Sequence, residues 1–175
     1  MSLGLTIAMY GAAILLCVFL SGFFSGAEMA YSSCNRLRLE GDRDEGSKTA
    51  GLALYIVDHF DDALGAILIG NNLVNIAASS LLSVEVILLF GQAHPSLDTY
   101  NTLASVLLTV IIIIFGETIP KITAKKAANR MACGYAWPVR VLMTVLRPVV
   151  FVVVALVNLL TGRLKGEDME DSEEK

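Results

Sequence analysis

The sequence predicts an all-α integral membrane protein with three transmembrane helices and further juxtamembrane or interfacial helices on the cytoplasmic side. Three observations carry this. Hydrophobic residues make up 55% of the chain and the mean hydropathy is +0.65, against about 45–50% apolar residues in soluble domains. Residues 1–27, 63–84 and 99–116 contain no charged side chain, and about 20 helical residues cross the hydrocarbon core of a bilayer. All thirteen Lys and Arg fall within 36–48 and 121–147, at Arg163 with Lys165, or at Lys175.

The first stretch could be mistaken for a signal peptide. It lacks a basic leading region and runs straight into Glu28, Met29 and Ala30, so it reads as a retained span. Arg36, Arg38, Arg43 and Lys48 follow it, and Lys121, Lys125, Lys126 and Arg130 follow the third stretch. The N-terminal lead and the loop 91–100 carry no Lys or Arg. Basic residues concentrate on the cytoplasmic side of membrane proteins, which places the N-terminus outside, the odd-numbered spans running inward and the C-terminus in the cytoplasm.

Between the first two spans, Asn35 to His59 reads as a cytoplasmic helical segment with apolar patches at Leu37, Leu39, Leu52, Leu54, Ile56 and Val57. Phe60-Asp61-Asp62 marks the start of the next helix, because acids near an N-terminus complement the helix dipole. A fourth apolar stretch, Pro148 to Gly162, has 15 residues, short for a span. Crossing there would carry Arg163, Lys165 and an acidic tail through the bilayer. The sequence instead favours a helix lying along or dipping into the inner interface, with Arg140 and Arg147 snorkelling outward. Six of the seventeen acids sit in the last nine residues. Residues 166–175 therefore read as an acidic linker toward a cytoplasmic domain, and 1–165 as the membrane domain.

Cys17, Cys34 and Cys133 lack metal-ligand spacing and are expected to be reduced thiols. The basic residues have a topological explanation, so no nucleic-acid partner is implied; the lipid bilayer is the expected one. A serine hydrolase would need a base beside its nucleophile, and His59 and His94 fall at opposite membrane faces. No enzymatic activity is expected.

Polar residues at membrane depth usually face a bundle interior or a wet cavity, and three clusters have this character. In SGFFSGAE, Ser21, Ser25, Glu28 and Ser32 share one helix face, while Gly22 and Gly26 permit close backbone approach or local unwinding. In GNNLVNIAASSLLS, Asn71, Asn75, Ser79 and Ser83 form a stripe with Asn72 beside it. In GETIPK, Pro120 lacks an N–H and clashes with the carbonyl four residues back, that of Gly116. Exposed carbonyls at membrane depth are tolerated where they line a cavity. Glu117 adds a carboxylate that Lys121 can pair with. The alternating topology puts all three clusters in the inner half of the membrane. Hydroxyls, amide oxygens, a carbonyl and carboxylates meeting there suit a hard cation, whether Mg²⁺, Ca²⁺ or Na⁺.

The stretches SGFFSGAEMAYSS, IGNNLVNIAASS and FGETIPKITAKK, in that order, resemble the transmembrane domain of the CorC/CNNM (cyclin M-like) family of Mg²⁺ transporters, over essentially residues 5–165. The resemblance implies a homodimer, each subunit with three spans and cytoplasmic juxtamembrane helices, in the cell membrane. It implies Mg²⁺ export, with Na⁺ as the coupling ion, and a CBS-domain pair downstream. Carried over by motif, the metal ligands would be Ser25, Asn71, Asn75 and the Gly116–Glu117 turn. Ser21, Glu28, Asn72 and Ser79 form a secondary set, and Gly22, Gly26 and Pro120 are hinge positions. Glu28 or Glu117 would take up the coupling Na⁺ or a proton. A dimeric membrane-anchored Mg²⁺ sensor without transport activity is the alternative.

Overall fold

A computed structural model describes residues 2–91 and 95–173, with side chains through residue 152. Every element among the described residues is helical: α1 (Leu3–Ser33), α2 (Arg36–Asp44), α3 (Lys48–Asp58), α4 (Phe60–Phe90), α5 (Leu97–Ile111), a π-helical segment (Ile112–Thr118), α6 (Ile119–Lys126) and α7 (Ala128–Glu173). Helices are what a bilayer demands, since backbone groups there have no water to bond. The three uncharged stretches fall within α1, α4 and the α5–α6 unit, each of which runs on past its uncharged core. Leu15, Phe19, Leu73 and Leu107 lie exposed on the outside of the bundle, a lipid-facing surface.

Helices α1 and α4 are antiparallel: Gly11 faces Glu85, Ser21 bonds Asn71, and Phe24 lies against Gly70. The α5–α6 unit runs parallel to α1, since Gly116 sits against Ser21 and Lys121 pairs with Glu28. This is the alternation of direction that the basic residues imply. Small residues let the helices approach: Ala27, Ala30, Ala63, Ala66, Ala132 and Ala136 are all fully buried. A β-carbon on Gly70 would stand 2.8 Å from Cζ of the buried Phe24. Gly70→Ala is accordingly expected to destabilise the fold by about 1–3 kcal/mol, seen as a lower melting temperature in detergent. An unchanged melting temperature would mean that Phe24 swings aside without loss.

The segment between α1 and α4 folds as a hairpin of α2 and α3. Asn35 caps α2 by accepting from the Arg38 N–H at 3.1 Å, and Ser47 caps α3 by accepting from the Ala50 N–H at 3.3 Å. Gly46 turns the chain between them at φ +98°. Leu39, Ala53 and Ile56 are buried against the bundle. Asn129 clasps the α1–α2 junction: its Oδ1 accepts from Asn35 N–H at 3.0 Å and its Nδ2 donates to Asn35 O at 2.9 Å. Tyr31 donates its hydroxyl proton to Ala132 O at 2.9 Å. Arg38, Lys125, Lys126 and Arg130 line one cavity of about 600 Å³ with Asp42, so basic residues from distant parts of the chain gather at one end. The three cysteines are free thiols, and burial pushes the Cys34 thiol above its ordinary pKa.

The C-terminal region differs from expectation. Pro138 and Pro148 sit inside α7 and do not end it, so the apolar stretch opens at Ala128. Among the described residues four helices are long and apolar enough to cross a membrane, the fourth being Ala128–Val152. The side chains of the distal part of the 148–162 stretch, those of Arg163, Lys165 and the linker 166–175, and residue His94 lie outside the described residues.

Candidate functional site

The polar face of α1 meets α4 on one side and the π-helical segment on the other. Ser21 is fully buried and its Oγ lies 2.9 Å from Asn71 Oδ1, to which it donates. Gly116 is packed on Ser21: a β-carbon there would come within 3.0 Å of Ser21 Oγ. At Gly22 a β-carbon would stand 3.2 Å from Pro120 Cγ and 3.3 Å from the Phe115 carbonyl oxygen. Both glycines are thus required by close backbone approach at the expected hinge. Gly26, the third hinge glycine, instead makes room for Tyr135, whose hydroxyl oxygen would lie 2.8 Å from a β-carbon.

The π-helical turn brings a second carbonyl under the influence of Pro120. The Ile119 N–H donates to Ile114 O, an i→i−5 bond. In that register the next N–H would serve Phe115 O, but it belongs to Pro120, which has none. Phe115 O therefore lacks its π-helical donor, and Gly116 O lacks its α-helical donor for the same reason, since both would be the N–H of residue 120. Pro120→Ala restores the missing donor. It is expected to slow amide exchange across 112–121; unchanged or faster exchange in the variant would mean that the missing donor costs this segment nothing.

Two buried polar atoms near this junction have no hydrogen-bond partner, Ser25 Oγ and Asn75 Oδ1. Because α1 and α4 are antiparallel, Ser25 lies one turn beyond Ser21 toward the basic end and Asn75 one turn beyond Asn71 toward the other. They stand roughly 12 Å apart along the helix axes at 1.5 Å per residue. Ligands across a Mg²⁺ ion are about 4.2 Å apart at most, so the structure does not bring Ser25 and Asn75 to one point. It brings together Ser21 and Asn71, flanked by the other two.

Asn72 is exposed on α4, and Ser79 donates its hydroxyl proton to Asn75 O of its own helix at 3.1 Å; neither joins the junction. Glu117 is half-buried and has no ion pair among the described residues. Lys121 Nζ reaches Glu28 Oε2 at 3.1 Å, bridging α6 to α1, and the pairing of Lys121 with Glu117 open at the sequence level is not the one formed. Glu85 of α4 was not singled out by sequence: its Oε1 would lie 3.4 Å from a β-carbon on Gly11, which puts a carboxylate against α1 at the end of the bundle remote from Lys121. It follows the second uncharged stretch by one residue, and an acid so close to a span was the signal. Among the described residues no three His, Cys, Asp or Glu side chains form a metal-binding group; the donors gathered here are neutral oxygens.

On the other side of the Ser21–Asn71 pair, Ile14 and Val18 of α1, Ala78 of α4, Leu108 of α5 and Ile112 form a buried apolar cluster. The polar junction is continuous with Glu28 and Lys121 in one direction and meets this dry layer in the other.

Residues 12–175 match the model of the cyclin M transmembrane N-terminal domain. The chain is 32% identical over 151 residues to a UPF0053 protein of Haemophilus influenzae, covering 86% of this chain and 34% of that protein. It is 29% identical over 141 residues to the UPF0053 inner membrane protein YfjD of Escherichia coli, covering 81% of this chain and 32% of that protein. The chain spans about a third of the length of these two relatives.

Proposed function

The chain belongs to the cyclin M transmembrane-domain family, and from that membership and the polar junction we propose that it transports Mg²⁺ across a cell membrane, as an exporter. The observation that carries this reading is the 2.9 Å separation of Ser21 Oγ and Asn71 Oδ1. Two neighbouring ligands of an octahedral ion with bonds of 2.0–2.1 Å stand about 2.9 Å apart, so both oxygens serve one Mg²⁺ once the Ser21 hydroxyl proton rotates away. Mg²⁺ sheds water reluctantly and keeps several of its waters. The unpartnered Ser25 Oγ and Asn75 Oδ1 accept hydrogen bonds from that water shell, one on each side. Neutral ligands hold the ion without trapping it.

The basic end of the bundle faces the cytoplasm in this proposal, with the N-terminus outside. The ion enters past Glu28, whose Lys121 partner it displaces, and leaves through the apolar cluster when that layer opens. Helix α7 lies along the inner face, since it carries Arg130, Arg140 and Arg147, leaving three spans. Na⁺ at Glu28 or Glu117 supplies coupling. The working unit is a homodimer, and the full protein carries a CBS-domain pair after the acidic tail. The chemistry is ion movement, with no covalent catalysis.

Flux measured in proteoliposomes with a Mg²⁺-sensitive dye tests this directly. Mg²⁺ movement above that of empty vesicles, steepened by an opposing Na⁺ gradient, is the expected result. Saturable Mg²⁺ binding with no flux would sink the transporter and leave a membrane-anchored sensor.

A further inference from the structure

A second cavity, of about 430 Å³, opens where α3, α4 and α7 meet. Its walls divide into two kinds. Tyr55, His59, Asp62, Arg140 and Arg147 form a polar end, and Met143, Val150 and Phe151 an apolar one. The Arg140 guanidinium lies 4.0 Å from the centroid of the Tyr55 ring, and the His59 ring stacks on that same Tyr55 ring at 4.1 Å. His59 Nδ1 is 2.9 Å from Tyr55 O; a carbonyl only accepts, so Nδ1 carries the proton and Nε2 is left for a ligand. These contacts fix Arg140 while leaving guanidinium N–H donors unused. Arg147 is seven residues on and on the same face of α7. Among the described residues neither arginine is in an ion pair.

Beyond the cavity the surface of α7 stays apolar and open: Val145, Val149 and Val152 are exposed, and Phe151 is 72% exposed. Trp137, one turn before Arg140, is 71% exposed, and tryptophan favours the headgroup level of a bilayer. The cavity therefore has a cationic head end and an apolar flank that continues onto a lipid-facing surface. A free phosphate would leave Met143, Val150 and Phe151 unused, and a bare acyl chain would leave two unpaired arginines.

We propose that this cavity binds an anionic phospholipid, with its phosphate on Arg140 and Arg147 and an acyl chain along Val150 and Phe151. Asp62 restricts the headgroup. With two arginines and one carboxylate the head end carries a net charge near +1, matching a single phosphate charge, and Asp62 accepts hydrogen bonds from headgroup hydroxyls. Phosphatidylglycerol has this combination. Such a lipid ties α7 to the α3–α4 corner, independently of which ion the central junction holds.

Native mass spectrometry of the purified chain, given equal amounts of phosphatidylglycerol and phosphatidylcholine of the same acyl composition, tests the site. Bound phosphatidylglycerol is expected to exceed phosphatidylcholine about tenfold. The Arg140→Gln/Arg147→Gln double variant should bring that ratio near one, and Arg140→Lys/Arg147→Lys should retain much of it. Emission from Trp137, the only tryptophan, verifies that both variants are folded. Equal occupancy by the two lipids, or a preference that survives the glutamine pair, overturns the proposal. Displacement of the lipid by millimolar glycerol phosphate overturns it too, because the site would then be one for soluble phosphate. Mg²⁺ flux is not the readout, so failure here is distinguishable from failure of the transport reading.

Discussion

Asn71→Leu is expected to weaken Mg²⁺ binding by the purified chain at least about tenfold, by isothermal titration. Leucine matches asparagine closely in size but removes Oδ1, the oxygen 2.9 Å from Ser21 Oγ. It also leaves Ser21, fully buried, without its partner, and an unsatisfied buried hydroxyl costs about 1–3 kcal/mol. Stability and binding should therefore fall together. The neighbouring amide separates site from bulk polarity: Asn72 is exposed, so Asn72→Leu should leave Mg²⁺ affinity within about twofold. Equal losses in the two variants would mean that α4 needs polar surface in general and that the Ser21–Asn71 pair is not a ligand set.

Gly22→Val should reduce Mg²⁺ flux in proteoliposomes at least about tenfold while the chain stays helical and membrane-inserted. A β-carbon at residue 22 already crowds Pro120 Cγ at 3.2 Å and Phe115 O at 3.3 Å, and the valine methyl groups add further bulk. Backbone oxygen and proline ring cannot both withdraw, so the π-helical segment must move off α1, carrying Gly116 away from Ser21. Gly134→Ala is the matched control, since a β-carbon there meets nothing within 4 Å. Wild-type flux from Gly22→Val would show that the contact between α1 and the π-helical segment is dispensable.

The spans were legible because charge is nearly absent from them: an uncharged run of spanning length has few alternatives to a membrane helix. The alternation of direction from helix to helix was legible too, in basic residues that recur after the first and third uncharged stretches. The polar stripes were visible as four-residue spacings, yet spacing on one helix does not fix its register against another. That register comes from close contacts such as Phe24 on Gly70, and it selected Ser21, from the secondary set, as the partner of Asn71. The same register spreads Ser25 and Asn75 to opposite sides.

Two further features escaped the sequence for physical reasons of their own. The shift to i→i−5 bonding at Ile112–Thr118 is a one-residue change that no local propensity announces, and it deprives Phe115 O of a donor as well. Lys121 is near Glu117 in sequence, but its long side chain reaches across to Glu28 on another helix. Proline was read as punctuation near α7, whereas Pro138 and Pro148 are carried inside it; neighbouring helices pack against both flanks, through Ala132, Ala136, Val139 and Met143.

The apolar layer of Ile14, Val18, Ala78, Leu108 and Ile112 has an electrical consequence. Packed apolar side chains exclude water there, so in the transport route proposed above this layer bears a large share of any transmembrane voltage. A divalent ion taking the proposed route would cross that part of the field in one step. Against a potential negative on the basic side, that step rises by about 4.6 kcal/mol per 100 mV for two charges. Polarisation of the membrane thus acts as a brake on outward movement, and depolarisation releases it.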